Sequence, residues 1–163
     1  MTISVASKEQ LPIVRDLAQQ IWPATYEHIL SKDQFDYMME MMYSLPSLEK
    51  QLQHPKPFLL VEDDGQFIGF ASYELHFENS NQTKIHKLYV LPQIQGKGIG
   101  KWVINHIQEI ALKAGDSALI LTVNRFNKAK DFYQKLGFHI AEEKQFDIGN
   151  GYIMDDYVMK LPI

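Results

Sequence analysis

The apolar positions of the chain change period several times, and each change marks an element. Residues 2–5 read as a short strand, after which Ser7 offers an N-cap. Leu11, Val14, Leu17, Ala18 and Ile21 then recur at three- and four-residue steps, the spacing of an amphipathic helix that Pro23 is expected to stop at Trp22. A second helix is predicted from about Ser31, carrying Phe35, Met38, Met39, Met42 and Tyr43 before Pro46. The middle of the chain turns to strand chemistry. Residues 58–62 and 66–77 flank Asp63-Asp64-Gly65, a tight hairpin signal. Residues 83–90 alternate again, with Ile85, Lys87 and Tyr89 on one face and His86, Leu88 and Val90 on the other.

Pro92 and a glycine-rich stretch come next, and a helix is predicted over residues 98–113 with Gly115 as its stop. Residues 118–123 read as a buried strand, and 127–136 as a helix closed by Gly137. The tail, 138–146 and 152–160, is expected to form a hairpin around Gly149-Asn150-Gly151. The predicted order is β-α-α-β-β-β-α-β-α-β-β, with no repeat, low-complexity stretch or linker. That is one mixed α/β domain over residues 1–163.

Composition narrows the functional classes. With 163 residues, 45% hydrophobic and 22% charged, the chain can bury a substantial core without disulfides or metal. Sixteen basic residues against twenty acidic ones leave a formal charge of −4, which gives no hint of the strongly basic face that nucleic acid binding needs, and no nucleic-acid partner is expected. Cysteine is absent, so a disulfide scaffold, a thiolate metal site and a cysteine nucleophile are all excluded. No cluster of His and carboxylates has ligand spacing, and no metal is expected. The first residues lack a basic segment followed by an apolar core, and the apolar runs fall far short of the ~20 residues that span a bilayer. A soluble cytoplasmic protein with no membrane partner is the expectation.

The most informative stretch joins the strand ending in Leu88-Tyr89-Val90 to the helix predicted from residue 98. It reads Gln95-Gly96-Lys97-Gly98-Ile99-Gly100-Lys101. A glycine-rich turn that opens a helix points several backbone N–H groups into one small volume, where the helix dipole adds positive potential; such a turn takes an anion, usually phosphate. Glycines suit it because a side chain would block close approach of phosphate oxygens. A P-loop would need Gly at position 95 and Ser or Thr after Lys101, where the chain has Gln95 and Trp102. A dinucleotide fingerprint would need its third glycine one residue later and a leading βαβ unit.

The stretch does match Gln/Arg-x-x-Gly-x-Gly/Ala, and here the chain resembles the GCN5-related N-acetyltransferase (GNAT) family, whose loop cradles the pyrophosphate of acetyl-CoA. Further on, a strand ends in Asn124, and the next helix ends in Tyr133-Gln134-Lys135-Leu136-Gly137-Phe138, similar to that family's second hallmark. The resemblance covers essentially the whole chain. It implies a central, mostly antiparallel sheet splayed between the fourth and fifth strands, with helices on both faces. It also implies an acetyl-CoA-dependent N-acetyltransferase.

Acetyl transfer from a thioester to an amine requires a neutral amine, a donor for the developing oxyanion and a proton for the leaving thiolate. The resemblance implies Tyr133 as the acid that protonates the sulfur. It also implies main-chain pairing of Leu88 and Val90 with the pantetheine arm, Leu88 or Tyr89 donating to the thioester carbonyl. Gln95, Gly96, Gly98, Ile99 and Gly100 would hold the phosphates, and Lys97 and Lys101 are equally phosphate partners or solvated surface lysines. Asn124 would reach the pantetheine arm or a water, and Asn127 is equally a helix cap or a CoA contact. Many relatives place a carboxylate base on the strand before the loop, where this chain has Lys84, His86 and Lys87. His86 is the natural substitute, since an imidazole titrates near pH ~6.5; Glu27, Glu74 or a water chain are the other routes.

The acceptor site is expected from Trp22, Tyr26 and Glu27, aromatic and acidic groups that suit a cationic amine. The methionines at 38, 39, 41 and 42 either line a pliable pocket or pack the core. The tail is similar to that of bacterial polyamine-type acetyltransferases, which favours a small primary amine as acceptor. A protein or peptide N-terminus is the alternative acceptor, and a non-catalytic acyl-CoA sensor the alternative to an enzyme. A homodimer is a further possibility.

Overall fold

A computed structural model describes residues 1–54 and 56–163. Its elements run β1 (Thr2–Val5), α1 (Leu11–Tyr26), α2 (Lys32–Tyr43), α3 (Leu45–Gln53), β2 (Phe58–Asp63), β3 (Gln66–Glu74), β4 (Gln82–Val90), α4 (Ile99–Lys113), β5 (Ala118–Asn124), α5 (Ala129–Lys135), β6 (His139–Gly149) and β7 (Tyr152–Pro162). The strand order is β1-β2-β3-β4-β5-β7-β6. β4 and β5 pair in parallel, while β1–β2, β2–β3, β5–β7 and β6–β7 are antiparallel, as the resemblance implied. Two compact units divide the chain: Met1–Glu74 with His86–His106, and Leu75–Ile85 with Ile107–Ile163.

In the first unit β2 is the central strand. Phe58, Leu59, Leu60 and Val61 are all almost fully covered, so both of its faces are packed. α1 turns Leu11, Val14, Leu17, Ala18 and Ile21 inward, the stripe that its spacing predicts. An aromatic cluster completes this core, with Trp22 edge-on to Tyr43 at 5.3 Å and Tyr43 edge-on to Phe70 at 5.9 Å.

Two prolines behave differently from expectation. Pro23 does not stop α1, which continues to Tyr26. A helical proline loses one donor, but Trp22 and Tyr26 on either side are buried with their tilted rings 4.5 Å apart, and that packing holds the extra turn. Pro46 does not merely end α2. It occupies the first turn of a further helix, α3, where a missing N–H costs nothing and the Ser44 hydroxyl caps the Ser47 N–H. The strand expected over residues 66–77 ends at Glu74, because His76, Glu78 and Asn79 take left-handed backbone with φ of 53°, 53° and 58°.

In the second unit, Gln82–Ile85 of β4 pair with Ala118–Leu121 of β5, and the register ends at Ile85 and Leu121. β4 itself continues to Val90 and β5 to Asn124. The strained turn before β4 is fixed by one carboxylate. Asp116, its side chain wholly covered, accepts from Thr83 Oγ1 at 2.6 Å, the His76 backbone N–H at 3.0 Å and His76 Nδ1 at 2.6 Å. Burial alone would raise this carboxyl, but the hydrogen bonds from Thr83 and His76 outweigh it and hold it below the usual carboxylate range.

The folded value lies below the unfolded one, so this contribution is complete above pH ~4 and is lost as the pH falls through the folded value. Asp116→Ala leaves a buried hydroxyl and a backbone N–H without an acceptor, and we expect it to destabilise the fold by about 3 kcal/mol. Urea unfolding at pH 7 checks the magnitude; the deficit relative to wild type should shrink below pH 4.

Candidate active site

The first unit carries the glycine loop. Leu91 N–H bonds the Ile68 carbonyl of β3 at 2.9 Å, a single 3-10 turn covers Pro92–Ile94, and the chain then enters Gly96 at φ +82° and Gly98 at φ +78°. Side chains rarely adopt this backbone, which is why both positions are glycine. A Cβ built on either would meet nothing within 4 Å, so the loop faces open space. α4 begins at Ile99, the Trp102 N–H closing onto the Gly98 carbonyl at 3.1 Å. Gln95 turns back and donates to the Val90 carbonyl at 3.2 Å, tying the loop to the strand end. Lys97 and Lys101 are exposed, while Ile99 is buried and anchors the first turn. The arrangement fits a pyrophosphate: an open cradle of main-chain donors at a helix N-terminus, with cations beside it.

β4 positions the next groups. Thr83, Ile85 and Lys87 are buried, and His86, Leu88 and Val90 take the opposite side, as the alternation predicts. His86 is 16% exposed, and its Nε2 lies 3.2 Å from Glu74 Oε1, which lies 3.8 Å from Lys56 Nζ. An ionised carboxylate only accepts, so Nε2 is the donor and a neutral His86 ring carries its lone pair on Nδ1. The tyrosine hydroxyls of Tyr26 and Tyr89 sit 2.9 Å apart.

Trp22 is 1% exposed and Tyr26 7%, so their rings belong to the core, and Glu27 stays exposed beside His28. The methionine stretch divides as well: Met38 is buried, and Met39 lines an open cleft with Arg15, Glu40 and Tyr43. Gly69 was not singled out by sequence reasoning, yet an added Cβ there would sit 2.7 Å from the Tyr89 carbonyl oxygen. Only glycine lets β3 approach β4 at the position where the resemblance implies main-chain pairing.

The second unit holds the other predicted residues. Asn124 Oδ1 accepts from the Phe126 N–H and Asn127 Oδ1 from the Ala129 N–H, both at 2.9 Å. These two side chains therefore shape the turn from β5 into α5. Arg125 fastens the same turn to β7 through Asp155 at 3.1 Å and the Tyr157 hydroxyl at 3.2 Å. Tyr133 is 8% exposed, its ring packed on Phe132 at 5.2 Å and edge-on to Phe138 at 5.6 Å. The Tyr133 carbonyl takes the Phe138 N–H, and Gly137 at φ +103° makes the return possible. The Tyr-x-x-x-Gly-Phe spacing thus brings Phe138 edge-on to the tyrosine ring.

Among the described residues no cluster of three or more His, Cys, Asp or Glu is arranged to hold a metal ion, and no helix is long and apolar enough to cross a membrane.

This loop and this strand order define an acetyltransferase of the GNAT class. The acetyltransferase (GNAT) family pattern matches residues 12–138, and the chain belongs to that family. It is 26% identical to a spermidine N(1)-acetyltransferase of Thermoplasma acidophilum over 155 residues, 91% of this chain and 92% of that one. It is 29% identical to the L-amino acid N-acyltransferase MnaT of Escherichia coli, over 53% of this chain and 52% of that one. A 36% match to an N-acetyltransferase of Methanocaldococcus jannaschii spans 40% of that protein, so several relatives are matched over only about half their length or less. The PaiA N-acetyltransferase from Thermoplasma acidophilum, crystallised with coenzyme A, superposes with a TM-score of 0.80 at 25% identity, covering 100% of both chains.

Proposed function

We propose that this chain is an acetyl-CoA-dependent N-acetyltransferase acting on a small primary amine of the polyamine type, by direct transfer between two bound substrates. The observation that carries the reading is the open cradle at Gly96 and Gly98, in a chain of this family. The likeness of 91% of this chain to a spermidine acetyltransferase supports the acceptor class. Acetyl-CoA supplies an activated acetyl thioester. Main-chain N–H groups of Gly96 to Gly100 hold the diphosphate, with Lys97 and Lys101 neutralising its charge. Leu88 and Val90 align the pantetheine arm through main-chain groups, and Asn124 steadies it from the end of β5; Asn127 serves the cap. Tyr89 or Leu88 N–H polarises the thioester carbonyl.

The acceptor must lose a proton before its nitrogen attacks. His86, oriented by Glu74, takes that proton directly or through water, and Tyr133 gives its phenolic proton to the departing sulfur. The N–C bond forms as the C–S bond breaks, and a proton exchange with solvent restores both side chains. Glu27, exposed near Tyr26 in the chain, draws the cationic acceptor in.

Thiol release from acetyl-CoA across a panel of spermidine, amino acids and N-terminal peptides tests the reading. Turnover on spermidine-type amines is expected. Turnover on peptides alone would replace the small-amine reading, and tight CoA binding without turnover would replace it with a sensor. On the active amine, His86→Gln should lower kcat by about 10²-fold with little change in acetyl-CoA affinity, as removal of a general base does.

A further inference from the structure

Asp156 has no role in the scheme so far, yet it is an unusual group. It lies on β7, directly opposite Asn124 of β5 on one side and Lys144 of β6 on the other. Directly paired residues share a sheet face, so Asp156 stands beside Asn124 on the same surface. The residue is 8% exposed, and its Oδ1 is buried with no hydrogen-bond partner among the described residues. The guanidinium nearby is committed elsewhere, because Arg125 binds the adjacent Asp155.

Buried carboxylates are normally paired, and one left without a partner costs stability. Burial, reinforced by the negative charge of Asp155 and opposed by Lys84, raises the carboxyl to about 6. It therefore remains mostly ionised at neutral pH, with Lys84 near enough to favour the charge but no donor bonded to Oδ1 among the described residues. The missing partner has a definite chemistry: a compact cation able to donate to a carboxylate oxygen. Lys144 sits opposite in register but extends its ammonium over the Phe146 ring at 5.3 Å.

We propose that Asp156 is a substrate-contacting carboxylate that receives a cationic amine of the acceptor. This rests on the N-acetyltransferase reading and names the group that selects a charged acceptor. An ammonium placed on Oδ1 would satisfy the buried oxygen and hold the amine beside Asn124. A neutral or anionic acceptor would leave the carboxylate unpaired and be rejected, the usual source of strong discrimination at a polar site.

Asp156→Asn tests the inference, because the amide keeps the shape and removes the charge. For a group whose folded value is raised, ionisation destabilises the fold as the pH climbs from about 4 to about 6. The variant should therefore melt at the same temperature as wild type or higher at pH 7.5. Its KM for spermidine should rise at least about 30-fold with the KM for acetyl-CoA unchanged, the loss typical of a charge left without its partner. An unchanged KM for the amine overturns the proposal, and a lowered Tm with unchanged KM assigns Asp156 a structural role instead. If wild type turns over no amine, the enzymatic reading fails separately. Calorimetric titration of spermidine into both proteins then decides: binding lost in the variant supports the carboxylate's role, and equal binding, or none to wild type, overturns it.

Discussion

Tyr133→Phe should lower kcat for acetyl transfer by about 10²–10⁴-fold while acetyl-CoA binds as it does to wild type. The substitution deletes one oxygen and keeps the ring, and the ring is what packs on Phe132 and Phe138. The turn through Gly137 is made by main-chain atoms and is equally untouched. The variant should thus fold normally, and any loss of rate belongs to the phenolic proton. An alkyl thiol titrates near ~8.5 and so leaves mostly protonated at neutral pH, and a proton delivered to sulfur as the C–S bond breaks lowers the barrier. The deficit should narrow with an acetyl thioester of a more acidic thiol, whose anion needs less help. A variant that keeps half or more of wild-type kcat, or a deficit independent of the leaving thiol, would remove Tyr133 from the chemistry.

The elements with a clean period were legible from the sequence. The amphipathic stripe of α1, the alternation of β4 and the hairpin around Gly149-Asn150-Gly151 all stand where the pattern placed them. The glycine loop was legible for the same local reason, because positive φ at Gly96 and Gly98 is a property of the residues themselves. Where packing decides, local rules failed. Pro23 reads as a stop, but the buried rings of Trp22 and Tyr26 carry the helix past it. Pro46 reads as a boundary and is one, yet it opens α3, whose apolar positions are too few to announce a helix.

The candidate site divides along the same line. Asn124 was read for what it would offer a ligand and Asn127 equally as a cap or a ligand contact, and both oxygens are used by the chain's own turn. Gly69, Asp116 and Asp156 carry their meaning only in three dimensions: a 2.7 Å approach, a set of converging donors, a buried oxygen with none. No spacing along the chain encodes these. His86 lies between the two cases, since its residue type pointed to a base but its link to Glu74 depends on how the neighbouring strands β3 and β4 align.

Gly98→Val should weaken acetyl-CoA binding by about 10²-fold, more than its effect on the fold explains, because several charge-assisted hydrogen bonds are lost together. A β-branched residue is a genuine outlier at φ +78°, so the loop must rotate away from this backbone and its N–H groups no longer converge. The open space in front of Gly98 also fills, and that is the space a diphosphate would occupy. Strain and ligand loss are separable, because the chain contains its own control. Gly65, in the turn between β2 and β3, has φ +77° and likewise nothing within 4 Å of an added Cβ. Gly65→Val therefore incurs comparable backbone strain, about 1–2 kcal/mol, away from any proposed ligand contact. Urea unfolding should show similar stability losses for the two variants, while calorimetry with coenzyme A should separate them by about 10²-fold in Kd. Equal CoA affinity in both would mean that the loop at Gly96 and Gly98 does not hold the diphosphate, whatever else the family resemblance implies for this chain.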